Sequence, residues 1–207
     1  MKPASPDWRD GFLFVGNQLA LDFVNTRPVI NGQSVELLSD WKAVRSWFRA
    51  AGLVSEAETE ALGRRWEQRQ EVEACVERLR ALRESLRAIV LRLEAGEEPA
   101  SRTVTDLNLL LRHHPMFQEL HRTRGRLERR KLFELRRPDD LVAPIADAAA
   151  EMLVDLHPAR LRKCDCCVLH FYDTSKNGAR RWCSMHLCGN RAKVAAYAKR
   201  RREAERW

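Results

Sequence analysis

Apolar residues recur along this chain at helical spacing more often than in strict alternation. Trp41, Val44, Trp47 and Phe48 share one face of Asp40–Ala51, a segment that Ser39 can cap and Gly52 can stop. Ser55-Glu-Ala-Glu58 is a capping-box pattern, in which hydroxyl and carboxylate each satisfy a backbone N–H at a helix start. Val72, Val76, Leu79, Leu82, Leu86, Ile89, Val90 and Leu93 follow at steps of three and four. They predict one long amphipathic helix with an Arg- and Glu-rich outer face, ended by Gly96 and Pro99. A shorter helix runs from Thr103 or Thr105 through Leu111 and closes at His113-His114-Pro115. An Ala-rich helix covers Leu141–Asp155, after Pro138-Asp-Asp and before His157-Pro158.

Three stretches depart from this helical pattern. Residues 12–26 (FLFVGNQLALDFVNT) hold two apolar runs around Gly16-Asn17, and predict two short strands or a strand followed by a buried segment. Asp22 and Asn25 interrupt the second run, either as turn or cap hydrogen-bonders or as the polar floor of a ligand pocket. Residues 117–135 alternate in part around Gly125 and predict a β-hairpin. Past residue 157 aliphatic side chains thin out: a strand-like Val168–Asp173, a turn over Thr174–Gly178, a return strand at Arg180–Trp182, and a helix from Gly189. The fold class is α+β, with a mainly helical first domain over 1–157 carrying short strands. A small module covers 158–207. The boundary lies near 157–163, with no long linker, so the two parts can dock.

The small module is too poor in aliphatic residues to bury a sufficient core alone. Its cysteines supply the alternative. Cys164-x2-Cys167, a fifteen-residue gap and Cys183-x4-Cys188 bring two sulfur pairs together at one tetrahedral ion, the geometry of structural Zn²⁺. Four protein sulfurs leave no open position for water, so such a centre builds structure and does no chemistry. Cys166 adjoins Cys167, but the two-residue spacing selects Cys164 and Cys167. His186 could stand in for Cys183 or Cys188. Disulfides or an iron site are the alternatives. The polar start MKPASPDWRD lacks a secretory signal, and no apolar run is long enough to cross a bilayer. A cytoplasmic protein in a reducing compartment, without membrane association, is the expectation. Cys75, in a helical pattern, reads as a small buried hydrophobe.

The 207 residues carry a net charge of +8. From Arg160 to Trp207 there are thirteen Lys or Arg against four Asp or Glu, so this tail holds the whole positive excess. A dense cationic field on a zinc module is the footprint of nucleic-acid binding. Candidate phosphate contacts are Lys176, Arg180, Arg181, Arg191, Lys193, Lys199, Arg200, Arg201 and Arg202. Trp182 and Tyr197 read as core of the small module in preference to base-stacking residues.

The run RKCDCCVLHFYDTSKNGARRWCSMHLCGNRAK resembles the CGNR zinc finger, named for the sequence seen here as Cys188-Gly189-Asn190-Arg191. Phe171-Tyr-Asp173-Thr-Ser175 and Arg180–Ser184 also match its motifs. LALDFVNT, Leu19–Thr26, is similar to the opening of the ABATE domain that usually precedes this finger. The resemblance implies a mixed α/β first domain, a treble-clef finger with zinc on Cys164, Cys167, Cys183 and Cys188, and a bacterial transcription regulator linked to stress. Cys166 departs from the family pattern. The leading expectation is a regulator whose finger binds double-stranded DNA and whose first domain senses a small-molecule effector or forms a homodimer. A module for protein or RNA is the second reading. An enzyme using Asp22, Asn25, His113, His114 or His121 is the third, and no nucleophile–base pair, phosphate loop or catalytic metal motif supports it.

Overall fold

A computed structural model describes residues 7–30, 32–66 and 70–204. Strand β1 (Trp8–Arg9) pairs with β2 (Phe12–Leu13), so β2 finds its partner upstream and not in the second apolar run. That second run is a helix, α1 (Leu19–Val24), so of the two alternatives a strand followed by a buried segment holds. The Gln18 side chain caps α1, accepting from the N–H groups of Ala20 and Leu21 at 2.6 and 3.2 Å. Ala20, Leu21, Phe23 and Val24 are fully buried. A six-residue helix buried on nearly every side lacks the 3.6-residue stripe that would mark it in a sequence.

A short hairpin of β3 (Val29–Ile30) and β4 (Gln33–Ser34) leads to α2 (Trp41–Ala50). Asp40, and not Ser39, is its N-cap. The Asp40 carboxylate accepts from the Ala43 N–H at 2.8 Å, while the Ser39 hydroxyl only meets that carboxylate at 3.4 Å. At α3 (Glu56–Trp66) the capping box forms as expected. Ser55 N–H donates to the Glu58 carboxylate at 2.7 Å and Glu58 N–H to the Ser55 hydroxyl at 3.2 Å.

The long helix α4 (Gln70–Glu94) buries Val72, Val76, Leu79, Leu86, Ile89 and Val90, and with them Arg83. Arg83 forks onto the Glu36 carboxylate at 2.6 and 2.5 Å, reaches Glu84 at 3.0 Å, and so pins the 26–38 segment to α4. A guanidinium this deep persists only because both of its edges are paired. Cys75 is buried on the same helix, and burial pushes its thiol up to about 12, as suits a small hydrophobe.

Helix α5 (Ser101–His113) starts earlier than Thr103 or Thr105, from Ala100 with no side-chain cap. Strands β5 (Phe117–Thr123) and β6 (Arg126–Leu132) form the expected hairpin, paired from Phe117↔Leu132 to Thr123↔Arg126. A 3-10 turn over Pro138–Leu141 precedes α6 (Val142–Asp155). One apolar core unites α1, α2, α4 and α6, with Trp47 at its centre against Phe23 and Phe48 in edge-to-face contact. Among the described residues every sheet has two strands, and no helix is long and apolar enough to cross a membrane.

The tail consists of β7 (Leu161–Lys163), β8 (His170–Tyr172) and α7 (Asn190–Ala204). It is woven into the body. Leu161 and Tyr172 pack with the main core, while Leu13 and Val15 from the N-terminal segment pack with Cys164, Leu169, Phe171, Cys183 and Cys188.

Candidate metal centre

The first sulfur pair sits at the tip of a hairpin. β7 runs directly into Cys164, β8 begins three residues after Cys167, and the two strands pair with Lys163 opposite His170. Cys164 N–H donates to the Leu169 carbonyl at 2.9 Å and closes the knuckle. The expected hairpin downstream of the knuckle does not form, because β8 takes β7 as its partner. Arg180–Trp182 is irregular and touches the knuckle through one backbone bond, Asp165 N–H to the Arg181 carbonyl at 3.0 Å. A buried carboxylate bends this segment. Asp173 is fully buried and accepts from the N–H groups of Ser175 and Arg180 at 2.9 and 2.8 Å.

The second sulfur pair brackets a cap. The Ser184 hydroxyl accepts from the Leu187 N–H at 3.3 Å and donates to the Asp7 carboxylate. One π-helical turn, Met185–Gly189, carries Cys188 to the entrance of α7. A Cβ at Gly189 would lie 2.7 Å from the Met185 sulfur, so a side chain there would make that thioether shift. The positive end of a helix favours a thiolate at Cys188.

The four sulfurs of Cys164, Cys167, Cys183 and Cys188 lie within 4.8 Å of one another, with Cys167–Cys183 and Cys183–Cys188 each at 3.7 Å. Sulfurs about 2.3 Å from a tetrahedral Zn²⁺ stand about 3.8 Å apart, so the donor set fits that ion. Cys166 and His186 stand outside the group, which settles both ambiguities of spacing. Crowding also works on the protons. Hydrogen bonds from Cys167 and Cys183 push the Cys164 thiol far down, and the hydrogen bond to Cys164 pushes Cys167 and Cys183 up. Burial raises Cys188 to about 12. The sulfurs alone therefore cannot all be thiolates. A divalent cation among them reverses that balance. The centre is a site for one structural Zn²⁺ with every position filled by protein.

The basic residues of the tail differ in how they are engaged. Arg180 is half-buried, donates to the carbonyls of Trp182 and Cys183, and lies 4.7 Å from the Phe171 ring centroid. Arg181 pairs with Asp165 at 2.7 Å. Lys199 stands 3.8 Å from Glu203, and the Arg202 guanidinium bonds the Ala198 carbonyl at 3.2 Å. Lys176, Arg191, Lys193, Arg200 and Arg201 are exposed. Trp182 packs against the sulfur-lined core as expected. Tyr197 does not: it is 63% exposed, because α7 buries no residue at all. Arg162 and Lys163, counted in the charge but not singled out, join Arg180 and Arg181 around a polar cleft of about 440 Å³ that Glu94 and Asp165 complete. Their position on β7 beside the first sulfur pair was the available signal.

Asp22 and Asn25 are placed at the seam between tail and body. Asp22 accepts from the Gly16 N–H at 2.7 Å, and burial pushes its carboxyl up to about 6. A side chain at Gly16 would put Cβ 2.9 Å from that carboxylate oxygen. Asn25 makes a two-way clasp with the backbone of His170, donating to its carbonyl at 2.8 Å and accepting from its N–H at 3.0 Å. The Gly16 carbonyl accepts from the Tyr172 N–H at 2.8 Å, and the His170 ring lies 3.1 Å from the Glu94 carboxylate. His114 is near Asp140 at 3.7 Å and His121 near Glu119 at 3.3 Å. Asp22 and Asn25 thus have hydrogen-bond partners of their own, His114 and His121 stand near different carboxylates, and among the described residues the four cysteines alone cluster at metal-ligand spacing.

A helical domain joined through such a seam to a four-cysteine zinc centre defines the class. The chain belongs to the ABATE family, described as "putative stress-induced transcription regulator", whose model matches residues 17–156. The CGNR zinc finger matches residues 160–201. No curated protein matches the chain.

Three outcomes follow from the centre and its seam. Protein purified from cells carries one equivalent of zinc by elemental analysis. A chelator, or Cys164→Ser, makes residues 164–190 protease-sensitive while the body keeps its helical circular dichroism. For Asp22 the folded pKa, about 6, stands above the ordinary 3.8. Its contribution is fully present below pH 3.8 and is lost as pH rises through 6, so the ionised form costs about 3 kcal/mol at neutral pH. Asp22→Asn, which keeps an acceptor for Gly16, should raise stability at neutral pH by about 1–3 kcal/mol and flatten the acid side of the urea-stability profile.

Proposed function

We propose that the protein is a zinc-dependent, DNA-binding transcription regulator, with a treble-clef type of finger presenting cations to duplex DNA and a helical domain that answers to a small effector. The observation that carries this is α7. This helix of 15 residues buries none of them, bears Arg191, Lys193, Lys199, Arg200, Arg201 and Arg202 against Glu203 among its described residues, and starts at the last zinc ligand. A helix with no buried face gains little from its own chain, and a polyanion supplies a counter-surface for its cations. At about 1.5 Å per residue it spans roughly 22 Å, a reach suited to a DNA groove and its flanking phosphates. The cleft lined by Arg162, Lys163, Arg180 and Arg181 extends the same field beside the zinc centre.

The effector site we place between α4 and α5, away from Asp22 and Asn25. Small side chains on α4, Ala81, Ser85 and Ala88, leave the space toward α5 unfilled as a cavity of about 410 Å³ walled by Leu107 and Leu110. His114 lines it, with a buried Nδ1 that has no hydrogen-bond partner and a pKa lowered by burial. A mainly apolar molecule with one polar group for the imidazole suits this lining.

Zinc-loaded protein should bind duplex DNA in gel shifts with a finger contribution of about −4 to −5 to the slope of log K against log salt, for about five phosphates. Alanine at Arg191, Lys193 and Arg200 should lessen that slope by about 2 to 3. Tighter binding to RNA, or none to DNA at low salt, removes the reading. Ala88→Leu should fill the cavity, raise stability by about 1 kcal/mol, and abolish any thermal shift that a metabolite screen finds on the wild type.

A further inference from the structure

We propose that the β5–β6 ribbon is a second DNA contact, a cationic arm that lies in the major groove. The proposal rests on the reading of the finger as a duplex-DNA module. Its own observations lie elsewhere, in the helical domain. The root of the ribbon is fixed: Lys131 bonds Asp147 at 2.7 Å and also Glu151 on α6, and Phe133 and Leu135 just beyond pack on the core. Every residue of β6 is exposed, and on β5 only His121 and Thr123 are partly covered. Seven residues per strand project about 20 Å from that root.

The two faces of the ribbon differ in charge. In this register Leu120 opposes Arg129 and Arg122 opposes Leu127 on one face. The other face carries Glu119, His121, Glu128, Arg130 and Arg126. All the acid is on the second face, where Arg130 pairs with Glu128 at 3.8 Å and His121 with Glu119 at 3.3 Å. The first face has no acid. Its Leu120 and Leu127 are diagonal neighbours, exposed by 71% and 60%. Among the described residues Arg122, Arg124, Arg126 and Arg129 have no ion pair or side-chain hydrogen bond. The turn adds to this. Arg124 and Gly125 both take positive φ, 48° and 82°, the two-residue turn that matches strand twist. Asparagine or glycine adopts the first position at lower cost, yet this one carries a guanidinium.

Charge decides the partner. An apolar partner would cover the leucines and strand the guanidiniums of Arg122 and Arg129 that share their face. Duplex DNA satisfies both, with phosphates for the arginines and thymine methyl groups for the leucines. Strands about 4.8 Å apart fit a major groove about 12 Å wide and not a minor groove of about 6 Å.

The test uses full-length, zinc-loaded protein and a 30-base-pair random-sequence duplex across a salt series. In the variant Arg122→Ala/Arg124→Ala/Arg126→Ala/Arg129→Ala the slope of log K should become shallower by about 3, and binding at 0.1 M salt should weaken at least tenfold. The matching Arg→Lys variant should keep the slope, because charge and not bidentate geometry sets it. Both should keep wild-type circular dichroism and zinc content, since the altered side chains are exposed and make no ion pair or side-chain hydrogen bond among the described residues. On duplex RNA, whose major groove is too deep and narrow for a ribbon, the alanine variant should match the wild type. If the wild type binds DNA and the α7 alanine variant loses slope while the ribbon variant does not, the arm is overturned and the finger reading stands. Failure of the wild type to bind duplex DNA overturns both. Equal loss on duplex RNA overturns the groove assignment. A change in dimerisation from Leu120→Ala/Leu127→Ala, with DNA slope unchanged, overturns it in favour of self-association.

Discussion

Four sulfurs held within 4.8 Å of one another cannot all carry charge unless a cation sits among them. Everything beyond residue 160 is arranged around that constraint. The small core contains only Val15, Leu169, Phe171 and three of the cysteines as buried apolar residues, too little to fold a module by area alone. Zinc binding contributes on the order of 10 kcal/mol and ties together pieces far apart in the chain: a hairpin tip, a capped π-turn and the start of α7. The last of these gives the ion its functional meaning. It sets the origin and direction of a helix that has no packing of its own.

The ion does not act on an isolated bead. Asn25 clasps the backbone of His170 across 145 residues, Gly16 bonds Tyr172, and Ser184 bonds Asp7. These contacts are polar and buried or half-buried, so breaking the seam leaves unsatisfied groups on both sides. Leu13 and Val15 then complete the small core, while Leu161 and Tyr172 complete the large one. The segment before α1 is thus shared structure. Burial raises the Asp22 pKa there against the bond from Gly16, and Gly16 in turn holds β8.

Positive charge on this chain has two roles, and only geometry separates them. Arg83, Arg160 and Arg180 spend their donors on carboxylates and carbonyls and serve as internal struts. Arg191, Lys193, Arg200 and the tip of the β5–β6 ribbon face water without such partners. The exposed cationic surface is therefore smaller and more directional than the tail's excess charge suggests, and a part of it lies outside the tail.

The helices α2, α3 and α4, the hairpin around Gly125 and the choice of cysteines were legible in the sequence. Periodicity, caps and ligand spacing are local signals that survive without tertiary context. Other features were not legible. α1 is short, buried on nearly every side and carries no period, Ser39 and Asp40 compete as neighbouring caps, and Arg83 looks like any other arginine on α4. Tyr197 was expected in the small core and lies in solvent, because α7 leaves that core at Cys188. The partner of β8 was misjudged for the same reason: strand pairing is a contest between candidates, and the buried Asp173 draws Arg180 away from a return strand. The sequence by itself determined which residues bind the metal, where the long helices run and how much charge the tail carries. Only the tertiary structure decided which polar residues are occupied inside, how the finger docks and which cations remain free, because those depend on contacts between residues a hundred or more positions apart.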